Sequence, residues 1–372
     1  MRILFIDIDT LRPDHLGCYG YHRNTSPNID KLAEQGVRFT NYYTPDAPCL
    51  PSRSALFRGR FGIHTGVVNH GGVYADPLPE GPGRGFSNSP KYDSFPMVLR
   101  KNGFYTVSIS SFPERHSAWW FNEGSRECYN PGKRGDDIVD DVEPYAKKWL
   151  EENAQKDNWF LHVNTWDPHT KYRTPDVYGN PFADCPAPSW PDEETINRHY
   201  ASYGPHSAFT PTGYTTIAKN PTSRHLNAIK NRQDFKRWVD GYDTGIKYAD
   251  DFVGRLTDIL KRKGIYEDTA IIITSDHGEA QGELNVYGDH QTADNSVCRI
   301  PLIVRWPGIK AGVNGGLHYN LDFTATIPDL LGFKKPEKWD GTSFADEIKT
   351  GKGKGRQSGV LTLCAWACQR SA

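Results

Sequence analysis

A cysteine between two prolines, followed closely by an arginine, is the stretch of this sequence best suited to chemistry. Cys49 comes just before Ser52, which is a candidate N-cap for a short helix that ends at Gly59. The N-terminus of a helix favours an anion, because its N–H groups are unpaired and carry partial positive charge. Arg53 adds a planar set of donors for a tetrahedral oxyanion. These residues predict a nucleophile beside an anion-binding pocket.

Two other interpretations of Cys49 compete with this one. A free cysteine is often a buried structural residue, but the surrounding Pro-Cys-Leu-Pro sequence favours a turn over a core strand. A phosphatase-type thiolate would need a loop of backbone N–H groups between the cysteine and the arginine. Arg53 follows Cys49 by only four positions, so that loop is too short.

Carboxylates at the ends of two predicted strands suggest a metal site. Residues 2–8 predict a buried parallel strand, and Asp7 and Asp9 stand at its carboxyl end, where open α/β sheets bind ligands. Asp276 follows a second apolar strand, Ala270–Ser275, in the same way. Hard carboxylate oxygens suit Ca²⁺ or Mg²⁺. The alternative for each isolated aspartate is a simple turn or helix cap.

The segments together resemble a known family, the type I sulfatases of the alkaline phosphatase superfamily. Cys49-Leu-Pro-Ser-Arg53 resembles the C-x-P-S-R signature in which the cysteine is oxidised to formylglycine. The stretch from Asp9 to Gly20 resembles the opening of these enzymes, and Thr274-Ser-Asp-His-Gly resembles their T-S-D-[HN]-G stretch. The resemblance spans residues 1 to about 350 in the family's order. It implies a set of metal-site residues: Asp9, Thr10 in place of the commoner second Asp, Cys49, Asp276 and His277.

The resemblance also implies catalytic histidines beside Cys49 and Arg53. His169, in Asp-Pro-His after a predicted strand, is similar to the histidine that assists departure of the ester oxygen; a solvated loop histidine is the alternative. His116 matches the K-x-H stretch of the family, but Glu114 replaces the lysine and Arg115 is expected to supply the missing charge. His290 falls where many sulfatases have a lysine that contacts the sulfate.

The implied function is hydrolysis of a sulfuric ester, with a sulfated small molecule or oligosaccharide as substrate. The implied cofactors are a divalent metal, Ca²⁺ by precedent with Mg²⁺ or Mn²⁺ as alternatives, and formylglycine made from Cys49 by a formylglycine-generating enzyme. Trp119, Trp120 and Trp166 are either platforms for sugar rings or core residues. Two other functions stay open. One is a phosphonate monoester hydrolase or phosphodiesterase of the same superfamily, and the other is an inactive binder of sulfated glycans.

Alternating strands and helices predict an α/β fold, which the resemblance specifies as an alkaline-phosphatase-like three-layer α/β/α sandwich with a mostly parallel sheet. A catalytic domain is expected over residues 1–350, with long loops at 62–95 and 170–224 rimming the site. Residues 351–372 are expected to be a disordered tail or the start of a truncated antiparallel subdomain, in which a strand at 360–367 has little chain to pair with. Further expected strands cover 105–110, 159–164 and 301–305, and expected helices cover 137–154, 235–263 and 321–331.

The composition excludes some classes of protein. A net charge of −1 over 372 residues provides no electrostatic basis for binding nucleic acid or an acidic membrane. The sequence has no apolar run of membrane-spanning length. Seven cysteines without a repeated spacing predict reduced thiols and a cytoplasmic protein, or a periplasmic or secreted one if a leader has been removed.

Overall fold

A mostly parallel sheet dominates the computed structural model, which describes residues 1–70, 90–211, 213, 223–290, 292–363 and 369–372. The strands in chain order are β1 (Arg2–Ile8), β2 (Val37–Tyr43), β3 (Asp46–Ala47), β4 (Tyr105–Ile109), β5 (Glu127–Tyr129), β6 (Trp159–Thr165), β7 (Thr269–Thr274), β8 (Ala280–Gln281), β9 (Tyr287–Asp289), β10 (Leu302–Arg305), β11 (Gly312–Tyr319), β12 (Leu361–Leu363) and β13 (Gln369–Ser371). Within the described residues, eight of them form one sheet in the order β11-β2-β10-β7-β1-β6-β4-β5. Only β10 in that sheet runs antiparallel to its neighbours.

The central strand β1 is buried on both faces, as its apolar sequence predicts. Leu4 and Ile6 enter one hydrophobic core, and Ile3 and Phe5 enter the other. Side chains alternate along a strand, so Asp7 lies on the same face as Ile3 and Phe5.

Helices cover both faces of the sheet. They are α1 (Pro27–Gln35), α2 (Cys49–Arg58), α3 (Gly62–Thr65), α4 (Phe95–Lys101), α5 (Phe112–His116), α6 (Val139–Asn153), α7 (Glu193–Ala201), α8 (Arg232–Arg262), α9 (Asn295–Cys298), α10 (Asn320–Leu330) and α11 (Ala345–Thr350). Apolar residues of α1, α6 and α8 pack into the core that contains Leu4. Those of α2, α4, α10 and α11 pack into the core that contains Phe5. The predicted three-layer α/β/α architecture is therefore confirmed.

Two expectations about loops and tail need correction. The predicted loop 170–224 contains the helix α7, whose N-cap Asp192 accepts a hydrogen bond from the backbone N–H of Thr195 at 2.8 Å. Because Thr195 and Ile196 are the only residues that this helix buries, its apolar signal in the sequence is weak.

The strand expected at 360–367 is β12, and it does have partners in the structure. Strand β13 pairs with it antiparallel, and strand β3 pairs with it parallel. Residues 364–367 of that prediction lie outside the described residues, as do residues 71–89 of the loop predicted at 62–95 and residues 212 and 214–222 of the loop predicted at 170–224.

The tail is also tied to the body of the chain, although the domain boundary at residue 350 stays a prediction. Arg356 Nε donates to Asp322 at 2.7 Å, and Thr362 Oγ1 donates to Asp46 at 2.6 Å. In the part of the chain that the structure describes, no helix has both the length and the apolar character needed to cross a bilayer.

Candidate active site

Polar residues from distant parts of the sequence meet at the carboxyl edge of the sheet. Strands β1, β6 and β7 are adjacent and parallel, with Asp7 of β1 opposite Thr274 of β7 and Ile8 opposite Thr165 of β6. The segments that follow these strands therefore emerge side by side. Helix α2 packs against the same edge, and Ser52 Oγ fastens it by donating to the backbone oxygen of Asp276 at 2.6 Å.

Arg53 of α2 is buried against three carboxylates that lie at or just after the ends of strands β1 and β7. Its Nε donates to Asp7 at 2.8 Å, and its Nη1 donates to Asp9 at 3.0 Å and to Asp276 at 2.5 Å. All four side chains are fully buried. The Nη2 atom makes no hydrogen bond. The sequence predicted an oxyanion-binding arginine, but two of the three nitrogens instead bind carboxylates, which leaves only Nη2 for a substrate anion.

One guanidinium does not balance the charge of three carboxylates. Burial raises the pKa of Asp9 well above its ordinary value, and the negative charges of Asp276 and Asp7 raise it further. At Asp7 burial is the largest single influence and acts to raise the pKa, but the charge of Arg53 and the contact with His162 together outweigh it, and the pKa is lowered. The cluster therefore holds an excess of buried negative charge that a bound cation would compensate.

Cys49 occupies the first turn of α2 and points into this cluster. The helix begins at Cys49 with Pro48 as its N-cap, so the predicted start at Ser52 was wrong by about one turn. Burial raises the pKa of the Cys49 thiol well above its ordinary value, with Asp9 and Asp276 adding to the shift. The thiol lies 3.0 Å from Nε2 of His277, whose Nδ1 donates to the carbonyl of Gly278 at 2.7 Å. The protein therefore holds Cys49 as a neutral thiol that donates to an imidazole.

The donors around Cys49 fit a divalent cation. Asp9, Cys49, Asp276 and His277 are all buried, and their ligand atoms lie within 4.8 Å of one another. Oδ1 of Asp9 has no hydrogen-bond partner. Thr10 Oγ1 is also buried without a partner, and Thr10 adopts the left-handed region with φ of 58°. The excess negative charge and the unpartnered oxygens together favour a hard cation.

Several histidines also lie around Cys49. Ring centroids are 4.3 Å apart for His277 and His290, 5.4 Å for His290 and His169, and 4.9 Å for His116 and His70. Burial lowers the pKa of each ring, to about 2 for His116 and to about 3 for His70, so the imidazoles are neutral at pH 7. The structure thus brings together all the histidines that the sequence singled out.

His70 is a site residue that sequence reasoning missed. It lies 6.4 Å from the ring of His290 by centroids and follows α3 in a segment without a recognisable motif. The only available signal was its position in the long loop 62–95, which was expected to rim the site.

Arg115 places a positive charge near the candidate active site. Its guanidinium stacks on the Trp166 ring at 4.9 Å, and its positive charge acts on Cys49 and His169. Glu114 points elsewhere and accepts from Asn130 at 2.9 Å. Trp166 is almost fully buried, so it is a packing residue and not a platform for sugar; Trp119 is 62% exposed.

Glu279 binds the segment that follows His169 through hydrogen bonds. The sequence analysis did not predict this role. Its buried carboxylate accepts from the backbone N–H of Thr170 at 3.1 Å, from the Thr170 hydroxyl at 2.5 Å and from the Tyr172 hydroxyl at 2.8 Å. Within this segment, Nδ1 of His169 donates to the backbone carbonyl of Thr170, so Nε2 is left as the free nitrogen. The hydrogen bonds of Thr170 to Glu279 and to the His169 ring therefore fix the orientation of His169.

Comparison with known proteins is consistent with this geometry. The family model described as Sulfatase matches residues 2–333. The choline-sulfatase of Rhizobium meliloti (strain 1021) is 24% identical over 374 residues, which cover 87% of this chain and 66% of the relative. The N-acetylglucosamine-6-O-sulfatase of Bacteroides thetaiotaomicron is 23% identical, covering 92% of this chain and 70% of the relative. This chain therefore spans about two thirds of the length of these curated relatives.

Solved structures show the same fold. One is a protein solved in complex with its substrate, D-glucosamine-2-N,6-O-disulfate. Its chain superposes with a TM-score of 0.77 at 18% identity, and the match covers 99% of this chain and 85% of that chain. The phosphonate monoester hydrolase of Agrobacterium radiobacter superposes with a TM-score of 0.75 at 18% identity, covering 97% and 80%. At this identity the likeness establishes the alkaline-phosphatase-like fold and nothing finer.

The charge imbalance predicts opposite effects of an Asp9→Asn substitution with and without metal. Without metal, the variant should melt at or above the wild-type temperature, since it removes a buried charge next to Asp276 and Asp7. With Ca²⁺, only the wild type should gain several degrees, because a ligand at 100 times its Kd adds about 2.7 kcal/mol of stability. Thermal unfolding with EDTA and with Ca²⁺ measures both effects.

Asp14→Asn is the matched control for that measurement. Asp14 lies in the same segment, but it pairs with Arg12 at 2.7 Å and is half exposed. This variant should keep the response to Ca²⁺. A normal response in Asp9→Asn, or a lost response in Asp14→Asn, would contradict the assignment of the carboxylate cluster as the metal site.

Proposed function

Because this chain belongs to the sulfatase family, we propose that it hydrolyses the sulfate ester of a carbohydrate at the site around Cys49. The observation that carries the proposal is the position of that thiol. The fold places Cys49 against the Asp9, Asp276 and His277 side chains and within 4.8 Å of ligand atoms of His169 and His290. A cysteine that serves only to fill the core is expected among apolar side chains, because burying polar groups is costly.

The nature of the substrate is supported by the relatives. Two of them are named for N-acetylglucosamine-6-sulfate hydrolysis, from Bacteroides thetaiotaomicron and Bos taurus. A protein with the same fold binds a disulfated glucosamine. Other relatives are named as a choline-sulfatase and an arylsulfatase. That the substrate of this chain is a sulfated sugar is therefore proposed together with the reaction.

The proposed active form has Cys49 converted to formylglycine by a formylglycine-generating enzyme and Ca²⁺ bound by Asp9, Asp276 and His277, with Thr10 nearby. The hydrated aldehyde supplies two hydroxyls on one carbon, one to attack sulfur and one to expel sulfate. The metal, when bound, lowers the pKa of a hydroxyl and stabilises charge on the sulfuryl oxygens. Asp7 lies beside this set and is held by Arg53 at 2.8 Å. We assign it a supporting role, because it keeps the Arg53 guanidinium in place.

Two arginines face the anion in this proposal. The Nη2 atom of Arg53 is a buried donor without a partner, which suits an oxygen of the sulfuryl group. Arg115 adds a second positive charge from the side of Trp166. Both charges are fixed before the substrate binds, so no reorganisation is needed as negative charge develops.

His169 is the proposed general acid for the leaving alcohol. The Thr170 carbonyl fixes its Nδ1 proton, so Nε2 is the nitrogen that faces the site. Burial, followed by the charges of Arg115 and Arg173, lowers the pKa of His169 in the free protein. The negative charge of a bound sulfate ester opposes this shift and favours the protonated ring. His290 is close enough to share this role, and His116 is the proposed base near the second hydroxyl.

Comparing the rates of hydrolysis of sulfate and phosphonate esters tests the proposed reaction. The mature enzyme should hydrolyse an aryl sulfate and a 6-O-sulfated glucosamine faster than an aryl phosphonate monoester, and Cys49→Ala should abolish turnover. Cys128→Ala should leave it unchanged, because Cys128 is exposed on strand β5. A preference for the phosphonate would replace the proposed function with that of a phosphonate monoester hydrolase. Metal-dependent binding of sulfated sugars without turnover would indicate a glycan-binding protein.

The role of His169 predicts a dependence on the leaving group. His169→Gln should slow hydrolysis of alkyl and sugar sulfates by about 10²- to 10⁴-fold, the usual contribution of a general acid. Hydrolysis of a sulfate ester with an acidic phenol should fall much less, because such a phenol leaves without protonation. Equal losses across a series of phenols of rising pKa would show that His169 does not act as the acid.

A further inference from the structure

We propose that the chain with unmodified Cys49 has a second metal site, for a thiophilic ion of the Zn²⁺ type, formed by Cys49, His169 and His290. The ligand atoms of these three residues lie within 4.8 Å of one another. Cys49 and His169 are buried and His290 is nearly so. This inference goes beyond the sulfate-ester activity: metal binding by the unmodified chain does not depend on that activity, whereas the effect on maturation rests on the proposed conversion of Cys49.

The two candidate ligand sets around Cys49 differ in chemistry. The carboxylates of Asp9 and Asp276 are hard donors that are already bound to Arg53 at 3.0 and 2.5 Å. The thiol and the two imidazoles of the second set are the donors that Zn²⁺ prefers, whereas Ca²⁺ and Mg²⁺ prefer oxygen. The second set contains no carboxylate and therefore favours a thiophilic ion, whereas the first set combines two carboxylates with Cys49 and His277.

The His169 imidazole is arranged as a zinc ligand usually is. A ligating histidine normally donates its other ring N–H to a carbonyl or carboxylate. His169 does so, with Nδ1 on the Thr170 carbonyl and Nε2 buried without a partner. Nδ1 of His290 also has no hydrogen-bond partner. Coordination through these nitrogens would break no existing hydrogen bond of either ring.

Metal binding would draw the three ligand atoms closer together. Tetrahedral bonds of about 2.3 Å to sulfur and about 2.0–2.1 Å to nitrogen place neighbouring ligand atoms roughly 3.3–3.6 Å apart. The present separations do not exceed 4.8 Å. Binding converts the Cys49 thiol and the ion into a metal-bound thiolate and releases one proton to solvent. Three protein ligands leave a fourth position for water.

The site belongs to the immature protein. Oxidation of Cys49 to an aldehyde removes the sulfur, so the Zn²⁺-type ligand set is lost while Asp9, Asp276 and His277 remain. An ion bound to Cys49 also occupies the thiol that the maturing enzyme must oxidise. Free Zn²⁺ should therefore compete with maturation of this chain.

Cobalt is the spectroscopic probe for this site. Full-length chain made without a formylglycine-generating enzyme, with the free thiol verified by mass, should give a thiolate-to-Co²⁺ charge-transfer band and strong tetrahedral d–d bands on titration with Co²⁺. Equimolar Zn²⁺ should bleach both. The mature form should show neither. Cys49→Ser should remove the charge-transfer band. His290→Lys should weaken Co²⁺ binding by at least about 10- to 100-fold, the loss that follows removal of a group that merely supports a ligand.

Two variants serve as controls and keep the test decisive. Cys298→Ser alters another buried cysteine and should bind Co²⁺ as the wild type does. Asp276→Asn alters only the carboxylate set and should keep both bands. Circular dichroism verifies that each variant is folded. The proposal is overturned if unmodified chain gives no sulfur-to-cobalt band, if the band survives in Cys49→Ser, or if it depends on Asp276 and not on His290.

Discussion

The burial of Arg53 against Asp7, Asp9 and Asp276 is the interaction on which the candidate active site depends. It joins helix α2 to the ends of strands β1 and β7, from positions at least 44 residues apart in sequence. Removing Arg53 from this network would leave three buried carboxylates without their shared counter-charge, and an uncompensated buried charge usually costs about 3–5 kcal/mol. The same interaction fixes the first turn of α2, and with it Cys49, relative to the sheet. The same buried interaction therefore stabilises the fold and positions the proposed nucleophile, Cys49.

The imbalance of charge in this cluster links structure to function. A fold selected only for stability would pair one arginine with one carboxylate, or use apolar residues. Here three carboxylates share one guanidinium, and Asp9 Oδ1 and Arg53 Nη2 are left without partners. The unpaired oxygen suits a cation and the unpaired nitrogen suits an anion. In the proposed function the cluster thus binds both the metal and the sulfuryl group, and the neighbouring neutral imidazoles transfer protons.

The sequence predicted the parts of this structure that have local signals. Buried parallel strands such as Arg2–Ile8 are continuous apolar runs, and the chemical motifs follow them directly. Strands β2 and β11 escaped prediction, because β11 contains Asn314 and three glycines and is stabilised by pairing with β2. The partners of Arg53 and the proximity of His70 could not be predicted either, since both depend on contacts between distant segments. The roles proposed for these residues rest on their placement and stay open to test.

The central claim is that the thiol at the first turn of α2 becomes the nucleophile of a sulfate-ester hydrolase. Mass spectrometry of the tryptic peptide Phe39–Arg53, on preparations made with increasing amounts of formylglycine-generating enzyme, tests it most directly when turnover of an aryl sulfate is measured on the same samples. Turnover should rise in proportion to the fraction of Cys49 present as the aldehyde or its hydrate, and should extrapolate to zero when the thiol is fully retained. Full turnover in a preparation whose Cys49 is an unmodified, alkylatable thiol would contradict the account.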